Sequence, residues 1–336
     1  MGRDPDQLID SVASASAADP PGEKRFEVIV ASREDVARGV IALTLEKPGG
    51  SPLPQWQPGA HIDVIMDNGL VRQYSLCGDP AETSRWRIAV LLEVEGRGGS
   101  EHIHDTMHAD SRIMVRGPRN HFEFVPSPRY IFIAGGIGIT PLLPMMAAAA
   151  RRGNQFTAMY GGRSRSSMAF VPEVAGHGDC VTLRPQDECG LLDLDSVLGE
   201  PVADTLVYCC GPEPLLVAVE NKCASWPLGA LRVERFAPRR LAAEPAANGS
   251  CTVVASRSGQ IYEIPPDQSI LAVLEDAGEE VYYSCTEGTC GTCETQVLEG
   301  EIDHRDSVLS PEEQTEGDKM MICVSRCKGT RLVLDI

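Results

Sequence analysis

The sequence predicts a multidomain chain: an antiparallel β-barrel, then an α/β domain on a parallel sheet, then a small β-rich α+β domain. Three observations carry this reading. Short β-rich runs separated by Gly, Pro and Asp turns fill the first third. Apolar strands alternating with helices begin near Pro128. Near the C-terminus Cys285, Cys290 and Cys293 stand at C-x4-C-x2-C spacing, and Cys323 follows. A length of 336 residues suits two or three domains.

In chain order, residues 1–24 are polar, rich in Ala, Ser, Asp and Pro, and free of aromatics. They lack the basic start and apolar centre of a secretory signal. They read as a disordered tail, with a short helix around Gln7 to Ala17. Residues 25–126 form the barrel, with strands at Phe26–Val30, Gly39–Leu45, His61–Ile65, Arg72–Leu76, Arg87–Val94 and Arg112–Arg116. Residues 127–237 form the α/β domain. Tyr130–Ala134 is a continuous apolar strand, and a glycine-rich turn leads into a helix at Leu142–Arg151. Strands follow at Phe156–Tyr160, Cys180–Pro185 and Thr205–Cys209, with helical stretches at Ser167–Glu173 and Glu213–Ala224. Residues 238–250, rich in Ala, Pro, Arg and Asn, read as a linker. Residues 251–336 hold a hairpin at Cys251–Ala255 and Gln260–Ile264, a helix at Ile270–Ala277 and strands at Thr295–Leu298 and Arg331–Asp335.

Charge and composition exclude several function classes. A net charge of −18 argues against a nucleic-acid partner. No run of about 18 apolar residues exists to span a membrane. Twelve cysteines without a secretory signal point to the cytosol, where thiols stay reduced. From Cys251 onward, six Lys/Arg face seventeen Asp/Glu, a net of −11. A solvated surface and an electrostatic docking face both account for that excess.

The cysteine spacing is that of a plant-type 2Fe–2S cluster. Between the first three ligands lie mostly threonines and glycines, which let backbone N–H groups approach the sulfurs. A structural zinc site usually pairs two short C-x2-C knuckles, and one stands here. A disulfide pair conflicts with a reducing compartment. Cys285, Cys290, Cys293 and Cys323 are therefore the expected metal ligands.

Four further motifs suit phosphate and flavin chemistry, although each alone also reads as a plain strand or turn. Arg72-Gln73-Tyr74-Ser75 combines a guanidinium, an aromatic ring and a hydroxyl on one strand. Gly96-Arg97-Gly98-Gly99-Ser100 precedes a short helix, where free N–H groups attract phosphate. Gly135-Gly136-Ile137-Gly138-Ile139-Thr140-Pro141 links a buried strand to a helix without matching G-x-G-x-x-G. Cys210-Gly211-Pro212 makes a second strand-to-helix turn at the C-terminal edge of the same sheet. His304-Arg305-Asp306 resembles a kinase triplet, yet no Asn lies at the required offset and no D-F-G follows. The seven histidines show no metal-ligand spacing.

In this order the motifs resemble the phthalate dioxygenase reductase family of class IA oxygenase reductases. Glu234-Arg235-Phe236 and Gly300-Glu-Ile-Asp-His-Arg-Asp306 before Cys323-Val-Ser-Arg add to the likeness, which spans Phe26 to Ile336. The resemblance implies a flavin barrel, a nicotinamide domain and a β-grasp-like, plant-type ferredoxin domain. It implies that Arg72 and the backbone at Gly98, Gly99 and Ser100 hold the flavin phosphate. Gln73 and Tyr74 would border the isoalloxazine, with Ser75 near its reactive nitrogen. Gly135, Gly136, Gly138 and Thr140 would line the dinucleotide site, with Cys210 and Gly211 near the nicotinamide. Phe236 would pack on the flavin face that the nicotinamide approaches. Ser75, Thr140, Cys210 and Phe236 would thus flank hydride transfer.

The implied cofactors are FMN, with FAD as the alternative, a 2Fe–2S cluster and NADH. NADPH stays open because Arg163 and Arg165 follow the strand where the adenosine ribose would lie, and arginine suits phosphate. The implied partner is a terminal, Rieske-type oxygenase. A haem or di-iron monooxygenase is the nearer alternative. A non-catalytic ferredoxin-type carrier or redox sensor is the alternative from another class.

Overall fold

The computed structural model describes residues 23–239 and 249–336. The helix expected near Gln7 to Ala17 and most of the expected linker lie outside the described residues. The first sheet is built from β1 (Arg25–Ala37), β2 (Val40–Glu46), β3 (His61–Ile65), β4 (Val71–Ser75), β5 (Arg85–Leu91) and, after helix α1 (Gly99–Thr106), β6 (Arg112–Arg119). Its strand order is β4-β3-β6-β1-β2-β5. The β1–β2 and β2–β5 pairs are antiparallel. β5 stops three residues before the expected Val94, because Gly96 N–H bonds back to Glu93 O at 3.0 Å and turns the chain.

The second sheet contains β7 (Arg129–Gly135), β8 (Gln155–Gly162), β9 (Val181–Pro185), β10 (Thr205–Cys210) and β11 (Leu231–Glu234) in the order β11-β10-β7-β8-β9. Every adjoining pair is parallel. The helices are α2 (Ile139–Arg151), α3 (Val171–Ala175), the single turns α4 (Gln186–Cys189) and α5 (Asp195–Leu198), and α6 (Glu213–Lys222). A central parallel strand buries both faces, and β7 shows how one sequence serves two cores. Tyr130, Phe132 and Ala134 point to the side of α2. Ile131 and Ile133 point to the opposite side, with Leu198, Leu216 and Trp226.

The α2-side core continues into the barrel. Val40, Ala42 and Ala89 join it, and Ala42 and Ala89 are directly paired across β2 and β5. Small side chains at that pair leave room for neighbouring bulk. Residues 122–125 follow the barrel and pack onto the parallel sheet through aromatic rings. Phe124 lies 4.6 Å from Tyr130 and 5.7 Å from Tyr208, centroid to centroid. Tyr208 OH donates to Glu123 O and accepts from the Val125 N–H, each at 2.9 Å. Burial pushes that phenol up to about 12, so it stays a donor. Arg87 adds a two-pronged ion pair to Glu173, at 2.8 Å for each contact, and donates to Cys77 O at 2.7 Å.

The third part comprises β12 (Cys251–Ala255), β13 (Ile261–Ile264), α7 (Ile270–Asp276), β14 (Glu294–Glu299), β15 (Ile302–Asp303), α8 (Pro311–Glu316), β16 (Lys319–Met321), β17 (Arg326–Cys327) and β18 (Arg331–Leu334). The main sheet runs β13-β12-β18-β14-β16, with β12 parallel to β18. Buried positions alternate along β12, and α7 covers them with Ile270, Leu271 and Leu274. Ser269 caps α7 by accepting from Ala272 N–H at 3.1 Å. Ser310-Pro311-Glu312-Glu313 forms a reciprocal capping box at α8.

The described residues gather into two compact units. One holds Phe26–Ile62 and Tyr74–Phe236; the other joins Asp63–Gln73 to Ala237–Ile336. The hairpin segment 63–73 therefore groups with the C-terminal residues.

Removing the Tyr208 hydroxyl leaves a backbone donor and a carbonyl without their partner. Tyr208→Phe should cost about 1–3 kcal/mol, read as a lower thermal midpoint. An unchanged midpoint would show that the two bonds contribute nothing.

Candidate functional site

The cysteine loop follows α7. Cys285, Cys290, Cys293 and Cys323 are all buried. Cys285 Sγ accepts from the N–H groups of Glu287 and Thr289, each at 3.4 Å. Cys290 Sγ accepts from Cys285 N–H at 3.5 Å and lies 3.2 Å from Thr292 Oγ1. Hydrogen bonds from the Cys290 and Cys323 thiols hold Cys285 well below the ordinary thiol range. Bonding to Cys285 and Cys293 pushes Cys323 up in turn. Cys285 thus neighbours Cys290 and Cys323, Cys323 neighbours Cys293, and backbone donors already face Cys285 and Cys290. That donor set fits a thiolate-bound two-iron cluster.

The backbone is shaped for this. Thr286 has φ 58°, uncommon for a residue with a side chain, and Gly288 has φ 68°. A Cβ on Gly288 would stand 2.6 Å from Val324 Cγ2 and 3.1 Å from Asp306 Cα. Asp306 supports the loop from behind. Its carboxylate accepts from Val308 N–H at 3.1 Å and Leu309 N–H at 2.8 Å, while Ser307 N–H bonds Gly288 O at 2.8 Å. Ser325 Oγ accepts from Arg305 N–H at 3.1 Å and donates to Asp306 at 3.4 Å. Asp306 and Ser307 therefore buttress the cluster loop.

Strand β4 carries Arg72, Gln73, Tyr74 and Ser75. Arg72 Nη1 donates to Val71 O at 2.8 Å. Ser75 is buried, and its Oγ has no hydrogen-bond partner among the described residues. A buried hydroxyl normally finds a partner, so a ring nitrogen fits this vacancy in bonding. Gly98, at φ 72°, precedes the eight-residue helix α1, which begins at Gly99. The first-turn N–H groups there have no intrahelical acceptor, which suits a phosphate. Ser100 Oγ accepts from Glu93 N–H at 2.9 Å and so ties that helix start to the preceding turn.

On the parallel sheet, two turns interlock at the C-terminal strand ends. A Cβ on Gly138 would lie 2.3 Å from Cys210 O, and one on Gly135 would lie 2.7 Å from Pro212 Cδ. A Cβ on Gly211 would come within 3.0 Å of Gly135 Cα. These glycines allow one turn to press on the other. Gly136, at φ 56°, has open space about its Cβ position. Thr140 is buried within α2, which starts three residues earlier than expected, and its hydroxyl donates to Ile137 O at 3.0 Å. Arg163 and Arg165 are exposed beyond β8. Arg165 pairs with Glu188 at 3.2 Å. Phe236 is 48% exposed.

Glu234 stands beside Cys210 and was given no role by motif reading. It pairs in register with Cys210 across β10 and β11. Its Oε2 is shielded from solvent and has no hydrogen-bond partner among the described residues. Burial pushes its carboxyl up to about 8. Burial, with Glu234 adding to it, also holds the Cys210 thiol well above its ordinary range. The only signal in the sequence was its place two residues before Phe236.

Residues 253–328 match the model of the 2Fe-2S iron-sulfur cluster binding domain. The phthalate 4,5-dioxygenase oxygenase reductase subunit of Pseudomonas putida is 40% identical over 313 residues, covering 91% of this chain and 95% of that one. The chain belongs to the phthalate dioxygenase reductase family. The phenoxybenzoate dioxygenase subunit beta of Ectopseudomonas oleovorans is 40% identical over 325 residues, 96% of this chain and 100% of its own length. The solved phthalate dioxygenase reductase, described as modular for electron transfer from pyridine nucleotides to a 2Fe–2S cluster, is 38% identical. It superposes at TM-score 0.67 over 93% of this chain and 98% of that chain. An intact type IV self-sufficient cytochrome P450 monooxygenase matches 93% of this chain at 41% identity and TM-score 0.87, and this chain spans 41% of its length.

The reductase is accordingly an oxidoreductase that carries electrons from NAD(H) through a flavin, FMN in this family, to a 2Fe–2S cluster. The likeness extends over the barrel and the parallel sheet, which displaces the reading as a free-standing carrier. Among the described residues no helix is long and apolar enough to cross a membrane.

The raised Glu234 carboxyl sets a pH dependence. Its folded value, about 8, exceeds the ordinary 4.5, so between these values the folded state holds a proton that the unfolded state releases. Stability contributed by this group is full below pH ~4.5 and falls by up to about 1.4 kcal/mol per unit as pH rises towards 8. Glu234→Gln should flatten this decline, giving a higher thermal midpoint than wild type at pH 8.5 and little difference at pH 5. Parallel midpoint curves for the two proteins would contradict the assignment.

Proposed function

We propose that this chain is the NADH-dependent, FMN-containing reductase of a multicomponent Rieske-type oxygenase in the cytoplasm. The reading rests on one observation above the rest. Four buried thiols at cluster spacing sit in the same chain as a flavin-type barrel and a nicotinamide-type sheet, over nearly the full length of relatives named as oxygenase reductase subunits. When bound, the flavin supplies the conversion from a two-electron hydride donor to one-electron acceptors. The chain's own residues then have separable tasks. Arg72 and the α1 start would grip phosphate. Ser75 would donate to the ring nitrogen that its hydroxyl otherwise lacks. Tyr74 and Phe236 would cover the ring faces. Cys210 and Glu234, both held protonated near neutral pH, would present an uncharged edge to the nicotinamide.

NADH is favoured over NADPH by Glu188. Its carboxylate already engages Arg165 and would repel a 2′-phosphate. The net charge of −11 from Cys251 onward suits docking of an oxygenase through a basic face. Organic substrate chemistry would belong to that partner, and the same negative charge leaves no place for nucleic acid.

A second reading has its own support, since the type IV P450 contains a region similar to nearly all of this chain. On that reading the acceptor is a haem monooxygenase. Reconstitution with NADH and either a Rieske oxygenase or a P450 haem domain distinguishes them by which acceptor is reduced.

Cys290→Ser tests the electron order. It should abolish oxygenase reduction while NADH-to-ferricyanide turnover, drawn from the flavin, stays within about twofold of wild type. Loss of ferricyanide turnover in folded, flavin-loaded protein would show that the order is wrong.

A further inference from the structure

Two further thiols meet in the C-terminal residues. Cys251 opens β12 and is 4% exposed, while Cys327 closes β17 and is half-buried. Both lie in the same compact unit. Cys327 packs against the core that contains Cys251, and the two thiols are hydrogen-bonded to each other. The backbone holds them there from both sides. Arg326 Nη2 donates to Gly249 O at 3.2 Å, and Thr252 N–H donates to Thr330 O at 2.9 Å. Residues flanking one cysteine are therefore bonded to residues flanking the other. Cys327 also pairs with Ile302 across β15 and β17, which fixes its strand in turn.

Neither thiol is among the four at cluster spacing. Gly329 and Arg331 aim backbone N–H groups at the Cys327 sulfur, an arrangement that stabilises a thiolate. Burial, with the Cys251 thiol adding to it, raises the Cys327 pKa, so the pair rests as two thiols. One sulfur is open to solvent and the other lies behind it in contact. In that arrangement the inner thiol can resolve a mixed disulfide formed on the outer one.

We propose that Cys251 and Cys327 form a reversible disulfide site, closed by a low-molecular-weight disulfide that enters at Cys327. The Cys327 thiolate attacks one sulfur of the small disulfide, which forms a mixed disulfide and releases one thiolate. The Cys251 thiolate then attacks the Cys327 sulfur and releases the second. The two cysteines lose two electrons, the small disulfide is reduced to two thiols, and the two cysteine protons pass to those thiols. Excess small thiol runs the exchange backwards. The new bond joins β12 to β17 and encloses residues 251–327, including Cys285, Cys290, Cys293 and Cys323. Closing so long a loop restricts the unfolded chain and so stabilises the fold that carries the four cysteines.

The test uses the full-length holoprotein without oxygen, incubated with oxidised glutathione until the exposed Cys189 is converted. The protein is then alkylated and mapped by peptide mass spectrometry. In wild type, Cys251 and Cys327 should be recovered joined to each other, and dithiothreitol should return both as free thiols. The thermal midpoint, read from the visible absorbance of the cluster, should rise by roughly 5 °C or more on oxidation. NADH-to-ferricyanide turnover should not change. Cys251→Ala should hold glutathione on Cys327, since the resolving thiol is gone. Cys327→Ser should leave the buried Cys251 reduced. The wild-type map decides the matter whether or not the variants fold. Free Cys251 and Cys327 in wild type, glutathione retained on wild-type Cys327, a bond from either to a different cysteine, or an unchanged midpoint would each overturn the site.

Discussion

Three buried thiols on one loop and a fourth beyond β16, with backbone donors aimed at Cys285 and Cys290, are the constraint on which the C-terminal part of this reductase depends. Sulfur that carries negative charge must be compensated once it leaves water. The loop does this with N–H groups from Glu287 and Thr289, which reach Cys285 because Thr286 and Gly288 adopt left-handed backbone angles. Such angles persist only when the surroundings hold them. Asp306, Ser307 and Ser325 supply that hold through bonds to three backbone N–H groups and to Gly288 O. The fold around the loop, with α7 packed on β12 and β18, is largely a rigid mount for it.

A different constraint governs the turns at the edge of the parallel sheet. Two strand-to-helix turns must approach so closely that neither Gly135, Gly138 nor Gly211 has room for a Cβ. Their close contact presents the ends of β7 and β10 as a flat edge, beside which Cys210 and Glu234 stand in register. Burial raises the pKa of both groups. Packing and electrostatics therefore act together: the same tight sheet edge that excludes side chains also excludes charge. The core behind it is shared with the barrel through Ala42, Ala89 and the α2 face of β7, so the edge is held on a continuous support.

Much of this was readable from local pattern. Tyr130-Ile-Phe-Ile-Ala134 could only be a strand buried on both faces, and β12 alternated as a half-buried strand should. The cysteine spacing carried the 2Fe–2S expectation, since three of the four cysteines lie within nine residues. Other elements had no local signature. β11, β15 and β17 are four, two and two residues long, and exist because β10 or each other offers a ladder. A strand of two residues has no periodicity to detect.

The sequence by itself determined the three-part order and the family, because each depends on residue types at short spacing. Only the tertiary structure decided what the polar groups between those motifs do. Gln73, read as a flavin neighbour, spends its amide on Asp63 and on Ser284, 211 positions away. Asp306, part of a kinase-like triplet on paper, buttresses the cluster loop. Glu234 gains its raised carboxyl from burial beside Cys210. The reason is common to all three. A hydrogen bond or a desolvated charge is a property of a pair in space, and the partner's position follows from the fold rather than from the neighbouring sequence.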